Sequence, residues 1–402
     1  EFSAVEDGIL TGTRAEKKEI YVTMIGTYDG TGPAASPVGE QSSELHFIVD
    51  APADGEYEIC LTYATGEEEG VGSWLQLAVG DVIFYDDFVP VTEGTESFVV
   101  SEPMKVRLKR GENVIRVMNH RRQENTLGSY ATLVKEINEQ APEKDMMLSL
   151  CEWGKTQPAN WGYKVGDSWR ILNDITFQVG ADGDPGVGCW TSDYTPGVAV
   201  QYNKAVIMDE FAGLQKGWND PDMLMIGMNG LTEAMNRTHM AMWCMMNSPL
   251  MLGLDLRRVE KGDWLYQIIA NEELIALNQD ALGVQAKRIY CSLAENAPDL
   301  TYVRDNDRVD ILAKPLADGS VALSFINVSE EKKCGCYSVN VKQILNAIGG
   351  KMVNADAFAA AASFAVKDLW SGSCSVNADG TFSVTELEAC DNITIRVTPH
   401  VQ

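Results

Sequence analysis

The hydrophobic period of this chain changes twice, and a chain that does so cannot be one layer system; its 402 residues suggest two or three domains. Over residues 1–120 apolar and polar residues alternate, with turn pairs between the runs. HFIVDAPADGEYEICLTYA (46–64) sets Asp54-Gly55 between two apolar-rich runs, and VRLKRGENVIRVMN (106–119) repeats the scheme around Gly111. Both read as hairpins, and the segment as a β-sandwich. After His120 the period lengthens. Leu127, Tyr130, Val134 and Ile137 share one helical face, and Pro142 closes that helix. Short apolar strands then alternate with helices: strands at 146–151, 170–175, 223–226 and 249–253, helices at 196–211 and 232–247. That order implies parallel βα units over 121–285. Four such strands can form an open sheet or half of an eight-stranded barrel. From 286 to 402 the period returns to two. Asp318-Gly319 and Asp379-Gly380 mark hairpins, and Ile393, Ile395 and Val397 share a face, which implies a second, antiparallel β-sandwich. The expected fold class is therefore multidomain α/β plus all-β.

Charge narrows the function classes. The formal net charge is −26, from 58 acidic against 32 basic residues. Such a surface repels phosphate backbones and anionic lipid, which excludes nucleic acid and membrane as partners and leaves neutral ligands such as sugars. No apolar run is long enough to span a bilayer. The N-terminus, EFSAVEDGIL, lacks the basic start and apolar run of a signal peptide, and it lacks an initiator Met, as expected of a processed or truncated product. Nine scattered cysteines, with Cys334 and Cys336 two apart, favour free thiols in a reducing, cytoplasmic setting over a disulfide framework. Asn236, Asn327 and Asn392 open Asn-x-Ser/Thr triplets, which also arise by chance.

Two blocks carry the chemistry: SLCEWGKTQPANWGYKVGDSWRILNDI (149–175) and GWNDPDMLMIGMNGLTEAMNRTHMAMWCMMNSPLMLGLDLR (217–257). Each gathers carboxylates and Trp, and the first adds Arg170, at the C-terminal ends of expected strands, where barrel enzymes place their sites. Glycosidases need two carboxylates and aromatic rings to stack on sugar. Singly, Asp174 could cap a helix, Arg170 could pair with a surface acid, and Trp153 or Trp169 could be core.

In order and spacing the two blocks resemble the family 27 glycoside hydrolases, and the likeness extends from about 130 to 285 and on through DLW (368–370) into the closing strand. The resemblance implies an α-galactosidase-like, retaining enzyme that needs no cofactor and releases terminal α-galactose. It implies Asp174 as general acid/base and Arg170 as a contact to the sugar. Cys151, Glu152 and Trp153 would line the galactose pocket, Asp220 and Asp222 would position groups there, and Met223 would fill its wall. The family's nucleophile, an Asp in a Lys-Tyr-Asp segment at the fourth barrel strand, has no counterpart. Phe84-Tyr85-Asp86-Asp87 lacks the Lys and lies in the β segment. The expected partner is thus a missing N-terminal barrel half, a separate chain or lost segment, without which this chain is inactive. The rival readings are an α-N-acetylgalactosaminidase and a non-catalytic carbohydrate-binding protein on the same scaffold.

AVEDGILTG (4–12), with APADGEYEICLTYA and LKRGENVIRV, resembles carbohydrate-binding modules of families 6 and 35. This implies a module ahead of the half barrel, with Glu6 as candidate for a structural calcium. Trp74, flanked by Gly72 and Ser73, reads either as its sugar platform or as a ring packed between the sheets of a module that is only a spacer.

Overall fold

In a computed structural model the described residues are 2–11, 15–23, 25, 44–65, 73–80, 82–90, 92–94, 96–118, 121–143, 146–181, 183–192, 196–293 and 302–400, less the side chains of 73–74, 86–88 and 121–125. The Trp74 platform and the acids of Phe84-Tyr85-Asp86-Asp87 fall among those side chains. The chain divides into two compact units, Glu1–Asp145 and Met146–Gln402.

The first unit holds a five-stranded antiparallel sheet in the order Ile9–Thr11, Glu44–Ala51, Gly111–Met118, Ser73–Val79, Val82–Val89. A second ladder pairs Met104–Leu108 with Gly55–Ile59. Both layers feed one apolar core, including Leu45, Leu77, Val106, Leu108, Ile115 and Val117. Neither expected hairpin forms. Glu44–Ala51 and Gly55–Ile59 lie in different layers, as do Met104–Leu108 and Gly111–Met118, so both turns are corners that carry the chain across the core. Alternation requires only that one face be buried, and a crossing satisfies it as well as a fold-back. The two corners are joined: Asp54 accepts from the Arg110 amide at 2.8 Å, and Asn113, nearly buried, bonds both main-chain groups of Lys109. The helix Arg121–Gln140 has its expected face half-buried at Leu127, Tyr130, Val134 and Ile137. It packs on strand Ser73–Val79, so the compact unit runs past the boundary at 120 that the change of period suggests.

In the second unit, Ser149–Leu150, Ser168–Arg170 and Trp218–Asp220 form a parallel sheet in that order. Leu224 and Leu252 make a further parallel bridge. The two expected helices form as Val198–Ala205 and Glu233–Met245, shorter than the patterns suggest, and Trp264–Ile269 and Glu272–Asn278 add two more. The expected strand 170–175 stops at Arg170; the Ile175 amide is taken by the Asp222 carboxylate rather than by a neighbouring strand.

Residues 287–400 form a six-stranded antiparallel sheet in the order Lys287–Cys291, Val309–Pro315, Val321–Asn327, Asn392–His400, Ser363–Asp368, Cys374–Asn377, faced by a ladder of Lys333–Asn340 with Thr381–Leu387. This is a β-sandwich around Ile311, Leu323, Phe325, Phe358, Phe364 and Val397, with Ile393 and Ile395 packed against it. The Asp318-Gly319 hairpin forms as expected, with Gly319 at φ 84°. Asp379-Gly380 is another corner between layers. Val309–Pro315 and Val321–Asn327 are buried along their whole length, because the sheet's second face meets the βα part. There the Tyr202 hydroxyl donates to Asp310 at 3.0 Å, the Trp190 indole donates to the Val328 carbonyl at 2.9 Å, and Asn392 donates to Thr238 at 3.0 Å. Buried polar bonds across that face make one unit of what the sequence reads as two.

All nine cysteines are free thiols. Asn236, Asn327 and Asn392 are all buried, with their side-chain amides donating to Thr232, Glu388 and Thr238. No helix among the described residues is long and apolar enough to cross a membrane.

Candidate functional site

Parallel strands bring their C-terminal ends to one edge, so the residues just after Leu150, Arg170 and Asp220 converge. Arg170 is the centre. Its side chain is 10% exposed, and its Nη2 donates to Asp174 Oδ1 at 3.2 Å and to Asp222 Oδ2. Asp222 also accepts from the Ile175 amide at 2.8 Å and the Met223 amide at 2.7 Å. Asp174 is different: its side chain is 63% exposed, and Oδ1 accepts a second bond from the Trp153 indole at 3.0 Å. One carboxylate is locked inside, the other is held at the surface by an indole and a guanidinium.

The backbone bends to allow this. Trp153 has φ 60° and Asp222 φ 81°, both in the left-handed region that disfavours side chains with a Cβ. Gly154 follows Trp153 at φ 73°, where a Cβ would lie 2.1 Å from the Ile171 carbonyl oxygen, so only glycine fits. Of the five non-glycine residues with positive φ among the described residues, four (Trp153, Gln157, Asp222 and Asn247) lie in the two blocks. Two of them, Trp153 and Asp222, bond the Arg170–Asp174 pair directly, and strain held there is a mark of a functional site.

The other expected residues divide. The exposed Cys151 thiol feels Arg170, Asp174, Asp220 and Asp222; burial of its surroundings pushes its pKa up despite the Arg170 charge, which keeps it a thiol. Asp220 accepts from the Asp222 amide at 2.8 Å, and burial raises its carboxyl against that bond and Arg170. Glu152 takes the Thr156 amide and hydroxyl on Oε2, at 2.7 Å each, which fastens the turn after the strand. Met223 lies over Gly253, where a Cβ would come within 2.6 Å of the sulfur. Sequence reasoning missed Trp243, whose indole donates to the Asp222 carbonyl at 2.7 Å. A Trp in an apolar helical run reads as core, and no local signal marks its N–H. Among the described residues no group of three or more His, Cys, Asp or Glu could hold a metal ion.

The arrangement suits proton transfer: an exposed carboxylate oriented through one oxygen, beside a fixed cation, at the mouth of parallel strands. Comparison with known proteins agrees in kind. Residues 186–280 match the family model described as alpha galactosidase A, and residues 306–397 match its C-terminal β-sandwich domain. An alpha-galactosidase A of Cellvibrio japonicus is 34% identical over 212 residues, which is 52% of this chain and 45% of that protein. A Bacteroides fragilis structure named alpha-galactosidase/melibiase is 28% identical with a TM-score of 0.51, covering 67% of this chain and 50% of that one. The fold of alpha-galactosidase I from Mortierella vinacea aligns with a TM-score of 0.53 at 23% identity, over 69% and 64% of the two chains. The chain spans about half the length, or less, of the curated relatives it matches. It has the α-galactosidase fold with its C-terminal β-sandwich, and is similar in sequence and structure to the α-galactosidases of glycoside hydrolase family 27.

Proposed function

We propose that this chain carries the general acid/base side of a retaining glycosidase site acting on terminal α-galactosides. The observation that supports it is the state of Asp174, exposed yet bound on Oδ1 by Trp153 and Arg170. In this reading Asp174 protonates the glycosidic oxygen as the bond breaks, then takes a proton from the water that releases the sugar. Arg170 fixes Asp174 and contacts the sugar, Cys151 and Met223 line its pocket, and Asp222 and Asp220 hold Arg170 and its loop. No cofactor takes part. A retaining reaction needs a second carboxylate about 5 Å away on the opposite face of the sugar. Asp222 is a poor nucleophile, since Arg170 and two amides already claim its oxygens. The proposal therefore places the nucleophile in an N-terminal barrel half, a separate chain or lost segment, that completes Met146–Gln402 to an eight-stranded barrel. The first unit, with two β layers around one core, is proposed as a carbohydrate-binding sandwich module. Nine free thiols support a reducing, cytoplasmic setting.

The test is direct. The purified chain should leave an aryl α-galactoside intact and turn it over once a nucleophile-bearing barrel half is supplied. In that completed enzyme Asp174→Asn should lose about 10²–10⁴-fold of turnover on poor leaving groups, with binding retained. Loss of affinity alone would make Asp174 a binding residue, and steady turnover by the single chain would place the nucleophile within it.

A further inference from the structure

We infer that Trp243 is a positioning residue for the Arg170–Asp174 pair, acting through the strained peptide of Asp222; its value to catalysis rests on the function proposed above. Asp222 sits at φ 81°, in the left-handed region that costs free energy for a residue with a Cβ. Both main-chain polar groups of that residue are pinned. Its amide donates to Asp220 Oδ1 at 2.8 Å, and its carbonyl accepts from Trp243 Nε1 at 2.7 Å. Held so, the side chain reaches Arg170 and the Ile175 amide with the same oxygen, Oδ2. Arg170 in turn grips Asp174, one residue before Ile175. If the Asp222 peptide relaxed to ordinary φ, its carboxylate would leave both partners together.

Trp243 is itself immobilised. It is fully buried in the helix Glu233–Met245 and meets the His239 ring edge-on, centroids 4.1 Å apart. The same helix is tied to the β-sandwich: Thr238 accepts from Asn392 at 3.0 Å, and the Arg237 guanidinium lies 4.6 Å from the centre of the Trp370 ring. A buried indole N–H needs an acceptor, and the acceptor here is the carbonyl of a strained residue at the site. A continuous line of contacts thus joins the C-terminal sheet to the exposed carboxylate.

The experiment is amide hydrogen exchange on the full chain, which does not depend on turnover, so a missing activity leaves this inference standing. Trp243→Phe keeps a ring beside His239 and removes the N–H. The Ile175 and Met223 amides, both bound to the Asp222 carboxylate, should then exchange about tenfold faster, the worth of one hydrogen bond. The helical amides of 237–245 should keep their rates. Unchanged protection at Ile175 and Met223, or a rise shared equally with the helix, would overturn the inference and leave Trp243 as core filling. If the variant does not fold, the reciprocal measurement decides: in Asp222→Ala the Trp243 indole N–H should lose protection about tenfold. An indole that stays protected there overturns it as well.

Discussion

The second unit contains two kinds of sheet, and they are built on opposite terms. In the antiparallel sheet, Val309–Pro315 and Val321–Asn327 run seven residues each, fully buried and paired along their length. In the parallel sheet the paired stretches are two or three residues long. Order after those strands comes from side chains bonding main chain: Glu152 to Thr156, Asp222 to Ile175, Asp220 to Asp222. The first sheet derives its stability from apolar area and regular ladders, whose loss is felt everywhere. The second is a mesh of charged groups and strained backbone, where one carboxylate does the work of a strand partner. Such a mesh places groups to a fraction of an ångström and contributes little net stability.

That contrast can be broken in order of size. The largest effect belongs to the antiparallel sandwich: Phe358→Ala, at a fully buried ring 5.0 Å from Phe364, should cost about 3–5 kcal/mol in urea unfolding. Arg170→Met should cost less, about 1.5–3 kcal/mol, because Asp222 keeps its two amide donors. A loss at Arg170 equal to that at Phe358 would mean that the site mesh is core after all.

The third prediction concerns the helix between the two sheets. His239 is fully buried, with no hydrogen-bond partner on either ring nitrogen, and burial lowers its pKa from 6.5 to about 3. The folded value is depressed, so the neutral ring's contribution is complete above pH 6.5 and is lost as pH falls from there toward 3. Wild-type stability should therefore fall by up to about 1.4 kcal/mol per pH unit more steeply than that of His239→Leu between pH 6 and pH 4. Parallel pH profiles would show that the fold accepts a charged ring there. The smallest effect is expected at the most important residue. Asp174→Asn should change stability by less than about 1 kcal/mol, because its ion pair with Arg170 is open to solvent on the carboxylate side. A large loss would make Asp174 part of the scaffold.

How much of this the sequence carried depends on the range of the interaction. Arg170 and Asp174 were singled out together because they lie four residues apart in one local block; that they bond each other, and that Asp222 joins them from 52 residues away, left no sign there. The Asp318-Gly319 hairpin was legible because its strands pair with each other. At Asp54-Gly55, Gly111 and Asp379-Gly380 the same residue types make corners, because a turn's composition sets its bend but not which layer receives the next strand. The reach of Trp243 across 21 residues to a single carbonyl leaves no pattern at all. The joining of the βα part to the β-sandwich was hidden likewise, in polar residues such as Tyr202, Asp310 and Thr238 that look like surface when read one at a time.

One more consequence follows from the three buried asparagines at 236, 327 and 392. An enzyme that attaches a glycan to Asn-x-Ser/Thr needs the side-chain amide exposed, and in the folded chain each of these amides is internal and already bonded. Only an unfolded chain presents them. A glycan fixed on Asn392 would remove its bond to Thr238 and force a bulky polar group between the helix and the sheet, so that chain could not close. Expression through a glycosylating secretory route would thus sort the product into two pools. Copies that folded before modification would be bare, and each sugar-bearing copy would be a record of one that had not folded in time.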